Sequence, residues 1–533
     1  MAEKNNKLIS GVLILTLSNM LVKVIGLIFK IPLTNIIGDE GMGYFNAAYS
    51  IYSWFYLLST AGLPVAVSIL IADCRAKGKA KEIKTIFRVT LLMFILIGLA
   101  GMGIMMGGSK IFARAIGAEP AYLSIMAIAP TLFFICISSA IRGYFQGCQN
   151  MIPTAFSQVI EAVGKLAVGI LLALYSMSRG FDLPTTAAYT IFGLVVGTAA
   201  SMLFLTVAKI LHNIREPKGI PEPDYLPRTT GGICAELLKI SIPIALSASV
   251  MQLTNLIDSM IVINRLKSIG YVEQVAVTLY GNYTALAVPM FNLPPALIYP
   301  ISIAVVPLIS TKIAKDGVGA ARDVIRRTLK VTAMIIIPCA LGLSAMAEPI
   351  LKMFFKASSA EMAAPLLSLL AISSVFVGIL SVTNAILQAT GHERQPIVSM
   401  LIGALVKLTA SWLLIGALDM YGTPISTFIC YLTITSFNFF FVAKHTGVTP
   451  EIRYMFLKPL ISGALCAFTA RGVHAILLTA LGNRLSCVAG IASAAIVYLL
   501  AMLLLRGIDA EDVSMIPGGK RIAPILTKLK LLK

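Results

Sequence analysis

The chain has 533 residues, 58% hydrophobic and only 13% charged, with 43 Lys and Arg against 24 Asp and Glu and a net charge of +19. Soluble domains are about 45–50% apolar and about 25% charged, so this composition excludes a water-soluble enzyme, and its high apolar content excludes a disordered chain. A surplus of Lys and Arg in so apolar a chain marks the cytoplasmic loops of a membrane protein; no basic stretch is interleaved with an RNA-binding motif, so nucleic acid is not expected as a partner.

A membrane-crossing helix needs about 20 mostly apolar residues. Such runs lie near 8–32, 44–72, 84–107, 120–142, 151–175, 184–211, 234–262, 276–311, 329–347, 362–388, 396–418, 423–443, 454–476 and 485–505. They predict an all-α polytopic membrane protein with about fourteen transmembrane helices. The eighth run is overlong and carries Pro289, Pro294, Pro295, Pro300 and Pro307, which requires a bend or a break. The first run follows lysines but no small-residue cleavage site follows it, so it reads as an uncleaved helix. The short loops leave no room for a soluble catalytic domain. The tail from Gly518 to Lys533 alternates apolar and basic residues and is expected to lie on the inner membrane surface.

With both termini in the cytoplasm of a multi-pass cell-membrane protein, 29 of the 43 Lys and Arg fall on the inner side, 9 on the outer side and 5 within spans. The inner set includes the clusters Arg75–Arg88 and Lys312–Lys330, and Arg142. This asymmetry supports the span order and its orientation. The eight cysteines show no CxxC spacing and read as small buried hydrophobes. The four histidines show no metal-ligand spacing, so no metal is expected.

A shift of 242 residues lays Arg88-Val89-Thr90 on Lys330-Val331-Thr332, Gln146 on Gln388, Ser157 on Ser399, Ile160 on Ile402 and Lys165-Leu166 on Lys407-Leu408. It maps spans one to six onto spans seven to twelve. An even number per repeat keeps both halves in one orientation, as a parallel repeat about the membrane normal. The expected organisation is an N-terminal six-helix lobe at 1–215, a C-terminal six-helix lobe at 232–446, an extra helix pair at 447–506 and a basic cytoplasmic interfacial tail at 507–533. Two such lobes would enclose a cleft that rocking exposes to each side in turn. No selectivity-filter signature is present, so transport is the leading class, not catalysis.

Ionisable groups at mid-bilayer cost about 2.5–3.5 kcal/mol on insertion scales, so each should face a cavity or a partner. Lys23 and Lys30 are seven apart in span one and share a face; both could donate to an anion, and Lys30 could equally snorkel to the outer interface. Glu161 and Lys165, four apart in span five, are spaced for an intrahelical pair. Lys407, the repeat partner of Lys165, has Gly403 where the acid would stand, so its countercharge comes from another helix or from a substrate anion. Asn255 and Asp258 in span seven suit a proton or Na⁺ site or a structural hydrogen bond, with Asn384 in span ten as a further member. Asp39 and Glu40 follow Gly38 in GDEGMGYF, where two acids could gate an outer mouth or line a solvated turn.

Three strings carry a family resemblance: LVKVIGLIFKIPLTNIIGDEGMGYFNAAYSIY, AGLPVAVSILIADCRAKG and, most specific, RGYFQGCQNMIPTAFSQVIEA (Arg142–Ala162). Over essentially its whole length the chain resembles the MurJ and stage V sporulation protein B branch of the multidrug/oligosaccharidyl-lipid/polysaccharide exporter superfamily. The resemblance implies a flippase for undecaprenyl-pyrophosphate-linked precursors, foremost lipid II for peptidoglycan. It implies two six-helix lobes, a cationic central cavity and a groove beside the last two helices for the lipid tail. Lys23 falls on the family's cationic first-helix position. A second family arginine falls on Phe29, beside Lys30, and the acid of the first outer loop falls near Asp39 or Glu40.

The expected substrate-binding set is Lys23, Lys30, Lys165, Lys407, Asp39 and Glu161, with the lysines receiving pyrophosphate as point charges. The expected ion-coupling set is Asp258, Asn255 and Asn384. No cofactor is expected, and Na⁺, H⁺ or the membrane potential would reset the carrier. The partners implied are a lipid-linked oligosaccharide pyrophosphate, membrane lipids and cell-wall synthesis proteins. The alternatives are a flippase for capsule or teichoic acid repeat units, and a cation-coupled multidrug exporter, which would favour acids and aromatics over lysines. A membrane enzyme would show clustered acids or histidines at a membrane face, and none is seen.

Overall fold

A computed structural model describes residues 2–215, 228–449, 453–505 and 507. Among the described residues the regular structure is all helical, with no strand. Contacts divide the chain into two compact units, Met1–Gly281 and Asn282–Lys533.

Unit 1 begins with α1 (Ala2–Thr60), α2 (Leu63–Ala76), α3 (Ala80–Gly107) and α4 (Ser109–Ile116). It continues through α5 (Tyr122–Ile128), α6 (Pro130–Gly147), α7 (Ile152–Ser178), α8 (Leu183–Arg215), α9 (Thr230–Ser268) and α10 (Glu273–Asn282). The long first helix breaks at Gly38, with φ 71° and ψ 179°, a conformation that only glycine adopts without strain. Its core joins α2, α3, α6, α8 and α9 through Val67, Ile71, Phe94, Cys136, Tyr144, Phe145, Leu205 and Leu237. Helices α7 and α8 meet along a glycine seam: a Cβ added at Gly164 would stand 2.7 Å from the Gly197 Cα. Such backbone approach is how helices gain packing where lipid gives them no hydrophobic drive. The repeat sets α9 at the head of the second lobe, whereas in the structure it packs on α1, α2 and α3 and the division between units falls after Gly281.

Unit 2 holds α11 (Val288–Phe291), α12 (Leu293–Asp316), α13 (Val318–Ala345), α14 (Ala347–Phe354) and α15 (Ala357–Ala389). Helices α16 (Arg394–Leu418), α17 (Gly422–Thr446) and α18 (Lys458–Leu504) complete it. The proline-rich eighth run is interrupted as expected, by a π-helical turn at Tyr283–Ala287 and a restart at Leu293. Its core joins α12, α13, α15 and α17. The last helix repeats the device of the first, with Gly482 at φ 68° and ψ 173°.

The faces turned away from these cores are apolar. Leu96, Leu203, Ile303, Ile476 and Leu504 are all exposed, Leu504 at 84%, and hydrocarbon, not water, is their solvent. Among the described residues ten stretches are long and apolar enough to cross a bilayer. Three of them, Ile28–Ala76, Arg394–Thr446 and Met455–Leu504, run to 49, 53 and 50 residues, more than twice the length of about 20 that one crossing needs. Each contains a break, at Gly38, at Asp419–Tyr421 and at Gly482. Six of the eight cysteines are buried and none is bridged. The interfacial tail expected beyond residue 507 lies outside the described residues.

Candidate functional site

A cavity of about 280 Å³ opens within unit 1, walled by α1, α6, α7 and α8, with Gln252 of α9 at its edge. On α7 the lining residues Gln158, Glu161, Ala162 and Lys165 recur every three or four positions, which places them on one helical face. On α1 the lining residues Tyr49, Tyr52 and Tyr56 do the same. Their rings form a ladder with Phe29 and Phe45, with Tyr49–Tyr52 and Tyr52–Tyr56 centroids both 5.8 Å apart.

The charges in this cavity are arranged unequally. Arg142 on α6 is only 8% exposed. Its Nε donates to Ser157 Oγ at 2.9 Å, and its Nη2 donates to Glu161 Oε2 at 2.8 Å and to Ser201 Oγ at 3.0 Å. Three helices thus converge on one guanidinium. Ser157 donates its own proton to the Thr154 carbonyl at 2.7 Å, which leaves its oxygen free to accept. Nη1 of Arg142 has no hydrogen-bond partner among the described residues. Lys165 Nζ lies 5.2 Å from the Phe29 ring centroid and 5.0 Å from that of Tyr49, within cation–π range. Among the described residues no carboxylate lies within 4 Å of that ammonium. Lys30 is close enough to Lys165 for the two charges to repel. Among the described residues the buried Oε1 of Gln158 also has no hydrogen-bond partner. Two cations and one carboxylate line the cavity, so the balance is positive.

Two expectations change here. Arg142, counted among the inner loop cations, lies inside α6 and is buried, because α6 continues past it to Gly147. Glu161 is spaced for Lys165, yet its carboxylate accepts from Arg142, whose planar donor fork matches a carboxylate better than a point charge does. Sequence reasoning missed Arg142 as a site residue. The available signal was the acid in span five with serines on neighbouring turns, a demand for a multidentate cation.

The other expected residues are spread more widely. Lys30 on α1 is half-buried, with its carbonyl accepting from Thr34; the side chain of Lys23 lies outside the described residues. Asp39 is half-buried just past the Gly38 break, and its neighbour Glu40 accepts from Gln274 at 2.9 Å. Asp258 on α9 is buried, whereas Asn255 is exposed and donates to Gln252 at 2.7 Å. Asn384 belongs to unit 2, where it accepts from Asn438 at 2.6 Å. The three residues expected to couple an ion are therefore not gathered within either unit.

Lys407 occupies the repeat-equivalent place in unit 2 but a different setting. It is 2% exposed, and its Nζ donates to Thr427 Oγ1 at 3.2 Å. A Cβ at Gly403 would stand 2.2 Å from Ile434 Cγ1, so no acid fits where Glu161 stands in unit 1. Unit 2 has its own pocket of about 350 Å³, lined by residues including Ser344, Glu348, Glu361, Ser368 and Arg471. Lys352 ties Glu348 at 2.8 Å to Glu361 at 2.7 Å, and this hydrogen bond holds the Glu348 carboxyl below its ordinary range. Those four charges cancel. Among the described residues no three His, Cys, Asp or Glu side chains gather as metal ligands.

The model of the polysaccharide biosynthesis protein family matches residues 8–312, and the MatE model matches residues 243–413. Stage V sporulation protein B of Bacillus subtilis (strain 168) is 24% identical over 513 residues, covering 96% of this chain and 97% of that protein. Lipid II flippase MurJ of the same organism is 23% identical over 468 residues, covering 84% and 85%. A solved structure of lipid II flippase MurJ in an inward closed conformation superposes with a TM-score of 0.70 at 16% identity, covering 92% of this chain and 98% of that one.

Proposed function

Because the chain belongs to the polysaccharide biosynthesis protein family, in the MurJ and stage V sporulation protein B branch of the multidrug/oligosaccharidyl-lipid/polysaccharide exporter superfamily, we propose that it is a flippase. Its cargo is an undecaprenyl-pyrophosphate-linked glycan precursor, foremost lipid II, carried from the inner to the outer leaflet by alternating access. The observation that carries this reading is the positive balance of the unit 1 cavity among membrane-crossing helices, where two cations share one carboxylate and so call for a further anion. Lys165 receives the pyrophosphate, with Lys23 and Lys30 on α1 as further cations. The tyrosine ladder supplies faces and hydroxyls suited to a sugar ring. Lys407, enclosed in unit 2, serves packing. Asp258 is the group we put forward for a coupling cation.

The work done is transport. The cavity needs only to bind, reorient and release a group too polar to cross hydrocarbon unaided. The test is complementation of a cell depleted of its own lipid II flippase, scored by exposure of the headgroup on the outer surface. Rescue is expected with the wild-type chain and not with Lys165→Met. If the wild-type chain is expressed and inserted but exposes no headgroup, lipid II is the wrong cargo. The near-complete coverage of a stage V sporulation protein supports a second arm in sporulating cells, where cortex peptidoglycan is the readout.

A further inference from the structure

A carrier must let go of what it binds, and the unit 1 cavity contains a group suited to that task. Arg142 is the most tightly held charge there, yet its partner Glu161 keeps 29% of its side chain exposed and lines the cavity. The carboxylate therefore sits where an incoming oxyanion would approach, on the same helical face as Lys165. We propose that Glu161 is an internal counter-anion that competes with the phosphate oxygens of the cargo for Arg142, so that binding stays reversible.

Three features support the exchange. The guanidinium is also held by Ser157 through Nε at 2.9 Å and by Ser201 through Nη2 at 3.0 Å, so it can change its anionic partner without leaving its place. Nη1 is unused among the described residues, which gives an oxyanion a first contact before the carboxylate is displaced. Phosphate oxygens and a carboxylate are bound by the same planar donor fork, so the two ligands are interchangeable at this residue. The cavity, at about 280 Å³, is at the small end for ligand sites. It suits a pyrophosphate group and part of one sugar, not a whole glycan headgroup.

This inference rests on the flippase reading for its cargo, but its test separates the two. The full-length protein in nanodiscs is titrated with inorganic pyrophosphate, followed by quenching of intrinsic tyrosine fluorescence. A second arm adds polyprenyl pyrophosphate to the disc and asks whether it displaces the inorganic ion. Glu161→Gln keeps the shape and removes the competing charge, so it should bind pyrophosphate about tenfold more tightly. In vesicles loaded with lipid-linked precursor the same variant should expose headgroup at least several-fold more slowly, because release is lost. Tighter binding with slower turnover is a combination that mere loss of a structural contact does not produce. Glu161→Asp, which keeps the charge at shorter reach, should fall between and covers the case of a Gln variant that fails to fold. Displacement by the lipid supports the cargo as the source of the anion. Binding of inorganic pyrophosphate that the lipid does not displace supports the site with a free ion as its ligand and counts against the flippase reading. Unchanged or weaker pyrophosphate binding in Glu161→Gln, or normal turnover despite tighter binding, overturns the proposal.

Discussion

Arg142 shows how much one side chain can organise. A hydrogen bond to a charged group contributes about 1.5–3 kcal/mol, and stranding a buried partner costs the desolvation of that partner. Arg142→Ala strands two serine oxygens and Glu161, although water reaches the carboxylate and recovers part of the loss. The expected cost is about 2 kcal/mol, seen as a lower melting temperature in detergent. Adding Glu161→Ala should restore about half of it; strictly additive losses would show that the two do not interact. The two repeat-matched lysines give a second contrast. Lys407→Met keeps the volume of an enclosed stem but removes its bond to Thr427, and should leave pyrophosphate titration unchanged. Lys165→Met should abolish it. The sequence shows both lysines and their matching register. It cannot show that Gly403 is pressed against Ile434, which separates an open site from a filled one. Arg142 was hidden for a related reason: a cation near the end of an apolar run reads as a loop residue until the continuation of its helix is known.

Among the elements, the seam between α7 and α8 is the most constrained. Gly164→Leu would drive a side chain into the Gly197 backbone and push apart two helices that both wall the cavity. Overpacking of this kind costs about 1–3 kcal/mol. The variant should show earlier proteolytic nicking at the α7–α8 turn and weaker pyrophosphate binding, whereas Gly103→Leu, where an added Cβ meets nothing within 4 Å, should show neither. The short helix α14 makes a separate prediction about pH. The Glu348 carboxyl is held below its ordinary value by its hydrogen bond to Lys352. A group depressed in the folded state adds stability above its unfolded pKa and loses it as pH falls through the folded one. Amide exchange in α14 should therefore quicken only below about pH 4.5, and Glu348→Gln should remove that step. Both partners are half-buried but still reached by water, at 41% and 28% side-chain exposure, so the effect should be small and should shrink with salt. Apolar run lengths located these elements well, because span length is dictated by bilayer thickness. The breaks at Gly38 and Gly482 fall in the gaps between predicted runs, 8–32 and 44–72, and 454–476 and 485–505; what hydropathy could not show is that helix resumes after a single glycine, whose φ is set by packing.

At the scale of the whole molecule, the asymmetry of Lys and Arg predicts which loops face the cytoplasm. In a chain whose eight native cysteines are replaced, Gln149→Cys at the exposed α6–α7 turn should react with an impermeant maleimide only from the inner side. Gly180→Cys at the α7–α8 turn should react only from the outer side. The reverse pattern would invert the topology, and reaction of both from one side would remove a crossing between them. The all-helical architecture was readable because apolar runs of membrane-crossing length fill most of the chain. The association of α9 with unit 1 was not, because a repeat records ancestry and not which neighbours a helix touches. The glycine breaks at positions 38 and 482 carry a practical consequence. Each turns the chain through a single residue, with helix resuming at once on the far side. Neither offers slack for an epitope tag, a glycan acceptor or a fused reporter, and an insertion there would shift every residue of the following helix around its axis. Surface tags on this protein belong at the multi-residue turn near Gly180, where the backbone already leaves the helix.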